Sequence, residues 1–468
     1  MKKRLLLMVA VLLTSIFLMS CEDRSDLTAP NPPTPNLGAV NFTNFVTIGN
    51  SLTAGYQSGS LFESAQMYAF GNLIAQQVGT SYAQPIIADP GIKGRIEIKS
   101  LSPFTLTYNQ NAGAPTNLSY PKPYNNLGIP GIVLADVLTA TETANSYSKS
   151  GAIDLVLRKL GTTQFAQAQS LSPTFVTLWI GNNDVLGFAT SGGARPTSPT
   201  DGQTFAFLYS QLADALAATG AKVVIGNIPE VTAIPFFTTV GPGVAQKLAS
   251  LNIAGMYYQQ HGQYNGTVLP VSALANYSVL MTLLGSNYTS YLGIPSGKFY
   301  KDNSVDISPL IAAGILDTNQ VFGLHPKNPW PDALILDADE ITTAKNATAA
   351  FNASISAIAA AKGFGLVNFN SIFNQIRAND ASGGTSYDGI SFTTTFVTGG
   401  LFSLDGVHPT SRGQGIIANE FIKVINAKWG ISIPLVNVSL IPGSLILAKM
   451  SNLGLPIFEK GTLDNLLF

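Results

Sequence analysis

The segment Phe45-Val-Thr-Ile-Gly-Asn-Ser51-Leu-Thr-Ala-Gly55 constrains the fold of this chain more than any other. A β-branched, apolar run of this kind is the pattern of a strand buried on both faces. It runs directly into Gly49 and a serine flanked by small residues, where glycine tolerates positive φ and leaves room for a ligand, so the chain can turn sharply out of a sheet and expose a hydroxyl above it. The same serine can instead cap the helix that follows. Its meaning rests on what else the chain supplies.

The rest of the sequence alternates in the same rhythm. Phe42 to Ile48, Phe175 to Ile180, Lys222 to Asn227 and Gly365 to Phe369 read as strands; Met67 to Val78, Phe205 to Ala218, Thr348 to Ala361 and Ser411 to Ala427 read as helices. Alternation predicts an α/β fold, a three-layer α/β/α sandwich with a mostly parallel central sheet, with its site at the carboxyl ends of the strands.

A base for the serine is easy to seek, because the chain holds only 3 histidines, His261, His325 and His408. His408 lies in Asp405-Gly-Val-His408-Pro, ahead of a helix. A carboxylate three residues before a histidine can hold the imidazole Nδ1 hydrogen and leave Nε2 free to take a hydroxyl proton. Taken alone, Asp-x-x-His is a common turn. His261, after Tyr-Tyr-Gln-Gln, and His325, before Pro326, read as solvated or loop histidines. Two further segments offer donors for an oxyanion: Asn126-Leu-Gly-Ile-Pro-Gly131, through glycine N–H groups, and Gly181-Asn-Asn183-Asp184, through an asparagine amide. Their plain readings are a helix start and an Asx turn.

Four pieces in this order resemble the SGNH (GDSL-type) hydrolase family: Gly49-Asn-Ser51-Leu its first block, Asn126 to Gly131 its second, Gly181 to Asp184 its third, and Asp405 to Pro409 its fifth. The resemblance implies that Ser51 attacks an ester carbonyl, that His408, oriented by Asp405, relays the proton, and that the Ser51 and Gly131 N–H groups with the Asn183 amide form the oxyanion hole. It implies a flavodoxin-like sheet and requires no cofactor or metal; one cysteine and scattered histidines offer no zinc spacing. One departure is visible. Asn50 stands where the family has aspartate, which keeps an acceptor, adds a donor and loses a charge.

Lys2-Lys-Arg4 precedes an apolar run from Leu5 to Met19 and then Ser20-Cys21, the only cysteine. This has the form of a secretory signal peptide over residues 1–20, and its end resembles a bacterial lipobox. That resemblance implies cleavage before Cys21, lipidation there and a cell-envelope location, outer-membrane periplasmic or surface-facing, without a spanning helix. Residues 21–40, proline-rich and without periodicity, read as a lipidated cysteine and flexible tether. Charged residues are only 11% of the chain and the net charge is −1, which leaves no electrostatic footprint for nucleic acid. No protein partner is inferred.

The hydrolase domain spans 41–430 and is enlarged by insertions at about 86–124, where Arg95 to Lys99 and Phe104 to Tyr108 alternate as strands do, and at about 234–337. These insertions either overhang the site and shape an apolar or glycan-binding cleft or merely enlarge the core. Residues 431–468 are too apolar for a free tail and are expected to dock on the domain. Three functions follow: a lipid-anchored esterase or lipase acting on carboxylic esters, an O-acetyl esterase of polysaccharide or peptidoglycan, and a non-catalytic surface-binding lipoprotein.

Overall fold

Five strands build one parallel sheet in the structure, a computed structural model: β1 (Phe45–Gly49), β2 (Asn126–Gly128), β3 (Phe175–Trp179), β4 (Lys222–Gly226) and β5 (Gly365–Val367). Their spatial order is β2-β1-β3-β4-β5. Every neighbouring pair is parallel, with Phe45 beside Phe175 and Thr47 beside Asn126. The chain goes one way from β1 to β2 and the other way from β3 to β4. The crevice outside the carboxyl ends of β1 and β3 is therefore the topological switch point, where ligands of such sheets bind.

The described residues are 34–193, 199–264, 266–443, 453–459 and 461–463. The basic and apolar N-terminal segment, Cys21 and the tether as far as residue 33 lie outside them. Residues 36–468 form one compact unit. Among the described residues no helix is long and apolar enough to cross a membrane.

The helices that bear on the site are α1 (Ser51–Ala54), α2 (Phe70–Val78), α3 (Gln164–Ser170), α4 (Asn183–Thr190), α5 (Gly202–Ala218), α6 (Ala338–Lys362), α7 (Phe369–Ala378) and α8 (Ser411–Trp429). Side chains on a strand point alternately to its two faces, and here both faces are buried. Phe45, Phe175, Trp179 and Val224 join Phe70 of α2 and Phe421 of α8 in one core. Val46, Val176, Leu178 and Ile225 join Phe165 of α3, Phe205 of α5 and Phe351 of α6 in the other. That division makes the three layers.

Helices α3 and α4 were not read from the sequence, and two more depart from that reading in ways their caps explain. α6 begins ten residues earlier than expected, because Asp337 accepts from the N–H groups of Asp339 and Glu340 while Glu340 accepts from the N–H of Asp337, a capping box that starts the helix before its apolar stripe does. α7 was not anticipated. Phe369 reads as the end of strand β5, yet Asn368 accepts from the Ser371 N–H and caps a helix whose Phe369, Phe373 and Ile376 are buried.

The first insertion contains an antiparallel hairpin, Arg95–Leu101 against Phe104–Asn109, irregular between Ile98 and Ser100. Ile457 and Phe458, near the C-terminus, pair in parallel with Thr105 and Leu106 of that hairpin. Ile433, Val436, Val438 and Ile441 are buried against α8, and the Asn419 amide bonds both the N–H and the carbonyl of Val436. The second insertion is made of short helices, with Leu280–Met281 paired antiparallel to Ile335–Leu336.

Candidate functional site

Ser51 is the first residue of α1, two positions past the end of β1. Gly49 permits the turn by what it lacks. A Cβ there would sit 2.2 Å from Thr53 Oγ1 and 2.4 Å from the carbonyl oxygen of Trp179. Positive φ is not required at Gly49; it falls at Gly55, with φ 77°, where it ends the short helix. Asn50 is fully buried. Its Oδ1 accepts from the Leu52 N–H at 3.1 Å, and its Nδ2 donates to Asn182 Oδ1, also at 3.1 Å. The donor that distinguishes asparagine from aspartate is thus used to join the loops that follow β1 and β3.

Asp405 and His408 share one loop before α8, and Oδ2 of Asp405 lies 3.0 Å from His408 Nδ1. Oδ1 accepts from the N–H groups of Val407, at 2.9 Å, and His408, at 2.8 Å; Oδ2 also accepts from the Gly59 N–H at 3.0 Å. Burial on its own would raise this carboxyl, but the facing imidazole and these hydrogen bonds outweigh it and hold Asp405 below the usual carboxylate range. With Asp405 ionised, the Nδ1 hydrogen has an acceptor and Nε2 is left as the basic atom. The Tyr56 ring lies 4.8 Å from the imidazole, tilted by 58°. The loop is braced from behind by the second insertion, through the Phe236 N–H to the Gly406 carbonyl at 2.9 Å.

Asn183 opens α4 after β3, and its Nδ2 donates to the carbonyl of Ile132 at 2.9 Å. That bond ties it to the loop carrying Gly131, whose φ is 77°. Asp184 is buried, accepting from the Leu134 N–H and the Thr200 hydroxyl, each at 2.9 Å. Burial pushes its carboxyl up to about 7.

Ser51, Asn183 and His408 line one cavity of about 120 Å³. Gly131 stands in the neighbouring loop and is not part of that wall. The remainder of the lining is apolar: Val231 and Ile234 after β4, Phe373 and Ile376 from α7, Phe402 beside the His408 loop, and Ile416 from α8. Neither insertion roofs this cavity; Ile234, at the edge of the second, is the sole contribution of either. The apolar wall is built mainly by α7 and α8, which belong to the sandwich. Tyr277, in the second insertion, does not line this cavity; the Arg377 guanidinium lies over its ring at 5.7 Å.

A serine at a strand-to-helix turn, a buried carboxylate–imidazole pair and an amide donor on one cavity wall, all at the switch point of a parallel sheet, form the layout of an α/β serine hydrolase. Residues 45–271 match the family model described as GDSL-like Lipase/Acylhydrolase, so the chain carries a domain of this family and is placed among enzymes that hydrolyse ester bonds. No curated protein gives a significant sequence match. The matched segment contains Ser51, Gly131 and Asn183; Asp405 and His408 lie beyond it and reach the site through the fold. Sequence reasoning missed Tyr56, Gly59 and α7. For α7 a signal existed, an asparagine cap followed by apolar residues at 369, 372, 373 and 376; for Gly59, whose partner is 346 residues away, none did.

Proposed function

We propose that the protein is a lipid-anchored serine esterase of lipase type, with Ser51 as nucleophile, His408 as general base and acid, and Asp405 as the residue that orients it. Ser51 Oγ attacks the ester carbonyl as His408 Nε2 takes its proton. The oxyanion is met by the N–H groups of Ser51 and Gly131 and by the Asn183 N–H not used on Ile132. Each such donor is worth on the order of 10²-fold in turnover. Collapse expels the alcohol, protonated by His408, and leaves an acyl-serine; water, deprotonated by His408, then releases the acid. Lipidation of Cys21 would hold the domain at a membrane of the cell envelope, where apolar esters are met.

The observation that carries this reading is the shared cavity of Ser51, Asn183 and His408. Its apolar lining favours an acyl chain over acetyl. At roughly 15 Å³ per water-sized group, its 120 Å³ accommodates about eight non-hydrogen atoms. Each methylene buried contributes about 0.8 kcal/mol, so a hexanoyl ester should exceed an acetyl ester in kcat/KM by up to about 10²-fold. A panel of aryl esters from acetyl to dodecanoyl tests both points. The wild type is expected to peak at six to eight carbons, and Ser51→Ala and His408→Ala to lose nearly all turnover while folded. A preference for acetyl would favour the O-acetyl esterase reading, and undiminished turnover in both variants would remove the catalytic assignment altogether.

A further inference from the structure

Outside the cavity that Ser51 lines, at the N-terminus of α6, a second group of reactive side chains converges. His261, Asp337 and Asp339 each present one donor atom, and the three atoms lie within 4.8 Å of one another. Asp337 is 2% exposed. Its Oδ1 is used on the first turn of α6, whereas its Oδ2, buried, has no hydrogen-bond partner and faces His261 Nε2 at 3.3 Å. A buried carboxylate oxygen without a donor is costly, and one aimed at an imidazole nitrogen and a second carboxylate is matched to a cation.

The surroundings have the same sign. Asp332 packs beside this group, accepting from the Gly262 N–H at 2.8 Å, and Glu340 closes the cap of α6. Among the described residues, no lysine or arginine forms an ion pair with Asp332, Asp337, Asp339 or Glu340.

We propose that His261 Nε2, Asp337 Oδ2 and an oxygen of Asp339 bind a divalent first-row transition metal of the zinc or manganese kind, with water completing its shell. Imidazole with two carboxylates suits these ions, whereas calcium and magnesium prefer an all-oxygen set. A metal about 2.1 Å from each donor requires donor separations of roughly 3–3.5 Å, so the group closes by about 1 Å at its widest. The ion would fasten the turn around His261, in the second insertion, to the N-terminus of α6. The site is structural and independent of ester hydrolysis.

The test uses the full chain stripped with chelator, then titrated separately with Zn²⁺, Mn²⁺, Ca²⁺ and Mg²⁺, reading stoichiometry by elemental analysis and the melting temperature by calorimetry. The expected result is one equivalent of Zn²⁺ or Mn²⁺ and a melting temperature raised by a few degrees at saturation. His261→Ala and Asp339→Asn, both at exposed positions, should each weaken binding at least tenfold, with His325→Ala binding as the wild type does. Absence of stoichiometric binding, equal affinity in the two variants, or a preference for Ca²⁺ or Mg²⁺ would overturn the proposal.

Discussion

Replacing Asp405 by asparagine exchanges one carboxylate oxygen for an NH2 group and leaves the shape intact. Its consequences follow from the four hydrogen bonds at this side chain. Two of them, from the N–H groups of Val407 and His408, converge on Oδ1 and oblige asparagine to keep its oxygen there. Its Nδ2 then faces the Gly59 N–H and His408 Nδ1, each 3.0 Å from the present Oδ2. Against Gly59 two donors meet, and a buried N–H left unpaired costs about 1–3 kcal/mol of stability. Against His408 the new amide donates to Nδ1, which forces the ring proton onto Nε2, the atom that must accept the serine proton. Loss of the correct tautomer in a serine–histidine–carboxylate site costs about 10⁴-fold in kcat, or about 5.4 kcal/mol. The measurements are kcat on an aryl hexanoate and the urea unfolding midpoint, made on the same preparation. A stability loss with kcat within tenfold of the wild type would show that Asp405 is a staple of the loop and nothing more.

Further outcomes are expected elsewhere in the molecule. Gly49→Ala should be destabilised by several kcal/mol or fail to fold, since its Cβ meets Thr53 Oγ1 and the Trp179 carbonyl at 2.2 and 2.4 Å; a normal melting temperature would contradict the packing of the turn. Phe373→Ala on α7 should enlarge the cavity and shift the ester optimum to longer chains, with acetyl turnover nearly unchanged. Asp184, with its folded pKa raised to about 7, binds a proton that the unfolded chain releases near pH 4. Its contribution to stability is therefore full below about pH 4 and is lost as pH rises toward 7. Unfolding midpoints should fall between pH 5 and 8, and fall less in Asp184→Asn, whose amide can still accept from Leu134 and donate to the Thr200 hydroxyl. Asp405 has the opposite sign: its folded pKa is depressed, and the stability it supplies is lost only as pH falls below the ordinary carboxylate range.

Local pattern made most of the sandwich legible. Strands β1, β3 and β4 are buried on both faces, so their apolar runs carry no competing message, and Ser51 and Asn183 follow two of them within a few residues. Strand β2 is only three residues long, Asn126–Gly128, too short for any periodicity, and was reached only through the glycines after it. α7 was hidden because Phe369 continues the apolar run of β5 across its own cap. The role of the insertions was left open for another reason. Aromatic richness in the second insertion fits a roof or an enlarged core equally; there Tyr258, Tyr288, Phe322 and Trp330 are buried in a cluster continuous with the core of the sheet. Contacts between distant segments, such as Gly59 with Asp405 or His261 with Asp337, leave no trace in composition or spacing. They exist because the turn after α1 and the loop before α8, and the insertion and α6, are brought together only after folding.

An activated Ser51 hydroxyl reacts with an alkyl fluorophosphonate, and peptide mass spectrometry locates the adduct. A single phosphonyl adduct is expected on the peptide containing Ser51, absent in Ser51→Ala and slowed by orders of magnitude in His408→Ala. An adduct mapping to another residue, or labelling of His408→Ala at the wild-type rate, would contradict Ser51 as the activated nucleophile.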